Sequence, residues 1–181
     1  MTDLIVLSTL LAGPKHGYQL KHEAGMILSQ GVLHNNLVYP LLRRFMNRKW
    51  VSRKTVPGER GQRRIRYAIT ALGRMELVAR LSAFSEQDAR SSDAFRLRVG
   101  MFQLLGPEAR VSILDAREAH LTARLERLTT VEQNFSLDRY ATEVTTRFRS
   151  ETQSELDWIK HLRSAEKSGK AAVRNSQRPM T

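Results

Sequence analysis

The chain has 181 residues, a formal net charge of +12 and no cysteine. Its length suffices for one ordinary domain, or for a small domain with a helical addition, and its 41% apolar content predicts a folded core. The absence of cysteine excludes a disulfide framework, a thiolate zinc site and a cysteine nucleophile. No apolar run has the length or the flanks of a signal peptide or a transmembrane helix, so we expect a cytoplasmic protein without membrane contact.

The positive charge is concentrated in the first half of the chain. Residues 1–80 hold 14 Lys and Arg against 4 Asp and Glu, and the window 36–66 alone holds ten basic residues and a single acid, Glu59. A surface of this sign attracts polyanions such as nucleic acid or an anionic membrane.

Four helices and one hairpin are predicted in this half. Apolar residues recur at helical spacing in three segments, and the period then changes from 3.6 to 2 in two strand-like runs joined by turn residues. Asn35 and Asn36 are candidate caps of the third helix, and Thr70 caps a fourth. The predicted helices are 3–11, 17–28, 35–47 and 71–83, and the predicted strands are 50–56 and 63–69.

Three helices followed by a hairpin form a winged helix-turn-helix, in which the third helix enters the major groove of DNA and the hairpin lies along the backbone. The basic window covers that helix and that hairpin, so charge and periodicity indicate one surface. We therefore predict a winged helix-turn-helix DNA-binding domain over residues 1–84, within a mainly α-helical fold.

The candidate DNA contacts lie on the third helix, just beyond it, and on the hairpin. Basic residues there can reach phosphates or base edges, and asparagine can read adenine. The alternatives are a solvated helix face, helix caps at the asparagines, inward packing of the tyrosine, and edge-strand charges that block aggregation. The candidates are Asn35, Asn36, Tyr39, Arg43, Arg44, Arg48, Lys49, Arg53, Lys54, Arg60, Arg63, Arg64 and Arg66.

The second half predicts a helical domain over residues 90–166. Helices are expected at 92–105, 108–135 and 139–165, and the last two form an antiparallel, coiled-coil-like hairpin. A hairpin that buries one face needs another surface, which a second copy of the chain supplies. Residues 167–181 are basic and predicted to be disordered. The expected dimer contacts are Leu114, Leu121, Leu125, Leu128, Phe148, Trp158 and Leu162.

Trp158 has two interpretations, because a large indole serves either as core or as a wall of an aromatic ligand pocket. The five histidines form no metal-like cluster, and no catalytic or phosphate-loop motif occurs. We therefore expect no metal, no cofactor and no enzyme activity. The alternative to a regulator is a winged-helix module for protein contact with only non-specific DNA affinity.

Three segments resemble the PadR family of bacterial transcriptional regulators. The stretch Leu10 to Leu20 is similar to its first motif, His34 to Arg44 to its recognition-helix motif, and Gly61 to Arg74 to its wing-to-helix segment. Glu155-Leu156-Asp157-Trp158-Ile159 is similar to the end of the longer members. The chain departs from the family at His34-Asn35-Asn36-Leu37, where Leu37 replaces a polar residue that commonly contacts a phosphate.

The resemblance implies a homodimer that binds an inverted repeat of double-stranded DNA at a promoter, as a repressor or an activator. It also implies that a small aromatic compound, such as a phenolic acid, releases the DNA in some members. Of the two regulatory modes we expect repression.

Overall fold

The computed structural model of the chain describes residues 1–27, 33–57 and 63–176, with side chains up to residue 166. It divides into two compact units, Met1–Ala83 and Phe84–Thr181. The structure is mainly α-helical with one small antiparallel sheet, which confirms the predicted fold class. Within the described segments, no helix combines the length and the apolar character needed to cross a membrane.

The N-terminal unit contains four helices and a three-stranded sheet. The strands are antiparallel in the order β1-β3-β2, so the predicted hairpin β2–β3 has an additional edge strand. That strand is not predicted from the sequence, because two residues are too few to show an alternation. The elements are α1 (Thr2–Thr9), β1 (Lys15–His16), α2 (Gly17–Ile27), α3 (Asn35–Asn47), β2 (Val51–Pro57), β3 (Arg63–Ile69) and α4 (Ala71–Ser82).

The core of this unit lies between the helices, where apolar side chains recur at helical spacing. Those that are almost completely buried include Ile5, Leu7, Leu10, Leu20, Leu42, Phe45, Leu77 and Leu81. The hydroxyl of Thr70 accepts a 3.0 Å hydrogen bond from the Gly73 N–H, so the predicted cap of α4 is confirmed.

The start of α3 differs from the prediction. His34 is the N-cap residue, in an extended conformation and without a side-chain cap bond, and both asparagines lie inside the first turn. The interpretation of Asn35 or Asn36 as the cap is therefore wrong. Neither asparagine side chain caps the helix, and both residues are exposed.

The C-terminal unit is entirely helical in its described part. The helix α5 is not predicted, and α6 ends at Val99 rather than Leu105, with a 3-10 turn at Phe102–Leu104. The last helix continues beyond Ala165 to Ser176, further than predicted, and residues 177–181 lie outside the described residues. The helices are α5 (Glu86–Arg90), α6 (Ser92–Val99), α7 (Pro107–Asn134) and α8 (Arg139–Ser176).

The α7–α8 hairpin is antiparallel, since ion pairs join Arg110 to Glu166 and Arg149 to Glu132 at opposite ends of the hairpin. An ion pair also lies inside the unit. Arg117 is 1% exposed and donates to both oxygens of Glu155 at 3.0 and 2.8 Å. The same guanidinium donates to the Ser92 hydroxyl at 2.6 Å and to the Ala89 carbonyl at 2.5 Å, so it connects α5, α6, α7 and α8.

Candidate nucleic-acid interface

Helix α3 has one buried and one exposed face. Val38, Leu41, Leu42 and Phe45 are buried, as expected for a helix whose apolar residues repeat at three and four positions. The predicted contact residues on the opposite side are exposed. Because the helix contains no acid, its exposed face carries only positive charge.

The Arg44 side chain forms an ion pair with an acid of the N-terminal unit. Its guanidinium Nη2 donates to Oδ2 of Asp3 at 2.5 Å, and Arg80 lies 3.7 Å from the same carboxylate oxygen. The Arg44 side chain remains 47% exposed, so it can exchange this partner for another anion. The sequence does not predict the pairing, because Asp3 and Arg44 are 41 residues apart.

Arg48 lies beyond the end of α3 against an aromatic ring. Its guanidinium is 4.8 Å from the centroid of Trp50, and Arg80 lies at the same distance from that ring. Trp50 itself is buried and packs against Phe45. The contacts restrict Arg48 to positions near the end of the recognition helix.

Lys49 adopts a left-handed backbone conformation with φ 60°. Its N–H donates to the Met46 carbonyl, and the Trp50 N–H donates to the Phe45 carbonyl, which closes the end of α3. Glycine is the usual residue at this position of a helix end, since a Cβ is strained there. A lysine therefore occupies this position at a cost in stability.

The wing, β2–β3, presents its charges on two faces. Residues 51, 53, 55 and 57 pair with 69, 67, 65 and 63, so Arg53 and Arg63 lie on the face that carries the buried Tyr67. Lys54, Arg64 and Arg66 lie on the other face. Lys54 and Arg66 are direct cross-strand partners, which places like charges opposite each other. Arg60, another predicted contact, lies outside the described residues.

The remaining predicted contacts lie at the start of α3. The Asn35 side-chain oxygen accepts a 2.6 Å hydrogen bond from Lys21 Nζ, and the exposed Asn36 has no described side-chain contact. Tyr39 is 41% exposed. Its hydroxyl approaches Gly17 so closely that a Cβ at that position would lie 2.9 Å from the oxygen.

A cavity of about 540 Å³ opens between the start of α2, α3 and the wing. We call it the α2–wing cavity; it is lined by His16, Tyr18, Tyr39, Arg63, Arg64 and Tyr67, among others. Burial raises the pKa of the Tyr67 phenol, with a smaller contribution from Tyr39. The sequence predicts Tyr39, Arg63 and Arg64 as contacts on this surface. It does not predict His16, Tyr18 or Tyr67, because neither a tyrosine in a strand nor a motif at a helix start indicates a binding role by itself.

The basic residues of this surface are largely without acidic partners. Seven of them form no ion pair with any described acid, and all seven are exposed. Seven unpaired cations in one window leave a strong positive field in solution. They are Arg43, Arg48, Lys49, Arg53, Lys54, Arg63 and Arg66.

In the C-terminal unit the predicted dimer contacts divide into two groups. Leu114 and Leu121 are completely buried within the single chain, where they contribute to its own core. The others are partly or fully exposed, namely Leu125, Leu128, Phe148, Trp158 and Leu162. Trp158 packs edge-on against Phe95 at 5.6 Å and lines a polar cavity of about 620 Å³ with Arg96, Arg124 and Arg147. No group of His, Asp or Glu suited to a metal ion occurs among the residues that the structure describes.

The family comparisons cover both units. The model of the transcriptional regulator PadR-like family matches residues 6–79, and the model of the virulence activator alpha C-term domain matches residues 93–165. No curated protein matches the chain.

Several solved structures are similar. A transcriptional regulator from Clostridium thermocellum is 25% identical over 41% of this chain and 73% of its own, with a TM-score of 0.37. Bacillus subtilis PadR in complex with operator DNA is 16% identical over 91% of this chain and 98% of its own, with a TM-score of 0.44.

The fold and the basic surface define a DNA-binding winged helix-turn-helix protein with a helical C-terminal unit. The N-terminal unit matches the model of the PadR-like family of transcriptional regulators, and the match in the C-terminal unit fits the longer type with an additional helical domain. This family consists of regulators of transcription and not of enzymes.

Proposed function

We propose that the protein is a repressor that binds an inverted-repeat operator as a homodimer. The observation that carries the proposal is the set of seven exposed, unpaired basic residues on α3 and the wing. A helix-turn-helix monomer reads one half-site, and a two-fold dimer presents two recognition helices about 34 Å apart, one turn of DNA. Repression requires only that this dimer occupies a promoter.

An exposed apolar stripe on α8 supports a dimer. Tyr140, Val144 and Phe148 follow each other at intervals of four residues and are 76%, 52% and 42% exposed. Val131 and Phe135 at the end of α7 are exposed as well. A contiguous apolar stripe on a surface indicates a contact with another molecule. We propose that the second copy of the chain covers it, together with the exposed members of the predicted dimer contacts.

The cavity beside Trp158 is the proposed site of an aromatic effector. The indole offers a flat wall, and Arg96 and Arg124 offer positive charge for a carboxylate, beside Arg147, which is paired with Glu151 of the same lining. A phenolic acid added to the DNA complex should release wild-type protein but not Trp158→Ala. Equal release of both proteins would place the effector elsewhere.

DNA binding is tested by fluorescence anisotropy with the upstream region of the protein's own gene and a scrambled duplex, at near-physiological salt. We expect wild-type protein to bind only the upstream fragment tightly. Arg63→Ala with Arg64→Ala should lower the affinity about 100-fold, and the salt dependence should fall by a slope of roughly 1.8, since two phosphate contacts are lost.

The matched control removes two charges outside the basic window. Arg90→Ala with Lys160→Ala affects exposed pairs with Glu86 and Asp157 and should leave the affinity nearly unchanged. Equal, weak binding of both duplexes by wild-type protein would support the module for protein contact instead.

Dimerisation is tested by sedimentation velocity. Tyr140→Glu with Val144→Glu places two charges in the apolar stripe and should convert the dimer to a monomer with weaker operator binding. Thr146→Glu, an exposed position off the stripe on the same helix, is the control and should remain dimeric. A dimer in both variants would exclude the stripe as the interface.

A further inference from the structure

The α2–wing cavity has the composition of an anion site. Two wing arginines, Arg63 and Arg64, line it, and His16 and three tyrosines supply further polar groups. No acidic side chain among the described residues lines it. Such a lining favours a negatively charged ligand that accepts hydrogen bonds.

Tyr67 is the unusual member of this lining. The residue is only 6% exposed, lines the cavity, and its hydroxyl has no hydrogen-bond partner among the described residues. The hydroxyl oxygen is reached by solvent from the cavity, so a ligand bound there can accept its hydrogen bond in place of water. A tyrosine phenol has a pKa of about 10 and is protonated at neutral pH, so this hydroxyl can act as a donor, and burial raises its pKa further.

The start of α2 adds further donors. The helix has 11 residues, and the N–H groups of its first turn, at Gly17, Tyr18 and Gln19, have no partner within the helix. The His16 ring Nδ1 lies 3.0 Å from the Ile65 carbonyl of β3, and this contact joins the helix start to the wing. The positive end of a helix dipole therefore faces the same cavity as the arginines.

Gly17 sets the shape of this arrangement. A Cβ at this position would lie 2.9 Å from the Tyr39 hydroxyl and 3.3 Å from its ring. Glycine therefore allows the phenol of α3 to reach the start of α2, where both line the cavity.

We propose that the α2–wing cavity binds a phosphate group of the DNA backbone. The Tyr67 hydroxyl and the first-turn N–H groups of α2 donate to its oxygens, and Arg63, on the same face of the wing as Tyr67, neutralises its charge. The proposal rests on the proposed function and deepens it: it adds Tyr67 and the start of α2 to the DNA contacts and makes this phosphate the point that fixes the protein's register on the duplex.

The test measures the operator affinity of wild-type protein and of Tyr67→Phe in a double-mutant cycle. The operator duplex is first defined by footprinting, and single methylphosphonates then remove the charge of one phosphate at a time. We expect Tyr67→Phe to bind the unmodified operator about ten-fold more weakly than wild-type protein. One methylphosphonate, or two adjacent ones, should weaken wild-type binding by a larger factor than they weaken binding of the variant, whose remaining contacts to that phosphate are unchanged. A variant that binds like wild-type protein, or that loses the same factor on every duplex, would overturn the proposal.

Two further variants control for folding. Because the hydroxyl has no described partner, Tyr67→Phe should unfold at a temperature no lower than wild-type protein. Ser112→Ala, which removes an exposed hydroxyl from α7, should change neither stability nor affinity. Gly17→Ala should displace the Tyr39 phenol, which is the flexible end of a side chain, and weaken binding with coupling to the same phosphate. Gly17→Ala with wild-type affinity would contradict the proposed geometry.

Free phosphate is the other source of the same chemistry. Thermal unfolding of DNA-free protein in sodium phosphate is therefore compared with sodium chloride at equal ionic strength. Stabilisation by phosphate that Tyr67→Phe abolishes, without coupling to any DNA phosphate, would assign the cavity to a free phosphate compound and overturn the DNA assignment. Failure of the proposed function would give a different result from failure of the phosphate site, because wild-type protein would then bind operator and scrambled duplex equally.

Discussion

The two units of the chain use charge in opposite ways. The N-terminal unit, Met1–Ala83, holds 14 basic residues against 4 acidic ones, whereas Phe84–Thr181 holds 16 against 14. In the C-terminal unit nine basic side chains lie in ion pairs, some of them between α7 and α8. Seven basic residues of α3, its end and the wing have no described acidic partner. Charge therefore holds the second unit together and leaves the first available to a polyanion.

The largest expected effect is on the C-terminal unit. Arg117→Ala leaves Glu155, 12% exposed, without its partner and the Ala89 carbonyl without its donor. The free energy of unfolding should fall by about 3–5 kcal/mol, the cost of breaking a buried pair. Urea unfolding followed by circular dichroism measures it. Arg147→Ala, whose pair with Glu151 is largely solvated, is the control, and an equal loss in both variants would contradict a special role of burial.

An intermediate effect is expected at Lys49, where stability and binding oppose each other. Lys49→Gly removes the strain of φ 60° and should raise the free energy of unfolding by about 1 kcal/mol. The same change removes a positive charge and should weaken operator binding several-fold. Lys54→Gly removes a charge from β2 and should lower both quantities, because glycine weakens a strand. A Lys49→Gly variant that is less stable than wild-type protein would show that the left-handed backbone at Lys49 is not strained.

The smallest effect is expected at Asp3. Asp3→Asn weakens its pair with Arg44 and frees that guanidinium for DNA, so operator affinity should rise about two- to five-fold. Anisotropy titration measures the change. Glu23→Gln removes an acid that pairs with Lys15 instead and is the matched control. An equal rise in both variants would show that only net charge matters, and not the release of Arg44.

Much of the N-terminal unit can be predicted from sequence, because the change from a helical to an alternating period marks where α3 ends and the wing begins. The charge window then identifies the exposed face of these elements. What the sequence does not show are partners distant along the chain. Asp3 and Arg44 are 41 residues apart, and the cavity around Tyr67 exists only after β1 has paired with β3.

The packing of the C-terminal unit is predicted less well, because its apolar pattern fits more than one arrangement of the helices. The apolar repeat of α7 predicts a stripe but not whether it is buried within the chain or against a second copy, and Leu114 and Leu121 are buried within the chain. Arg117 lies completely buried in the same helix, since Glu155 and its other partners compensate for its charge. The five-residue helix α5 is too short to display a period.

The repulsion between Lys54 and Arg66 across the wing has a consequence for how the protein finds its target. Any duplex relieves that repulsion, whatever its sequence, because phosphates are the same everywhere on DNA. In a cell the chromosome would therefore retain most copies of the protein at random positions, from which they slide and hop. The occupancy of a promoter would then depend on the ratio of specific to random binding, and a change that weakened both equally would leave gene expression almost unaltered.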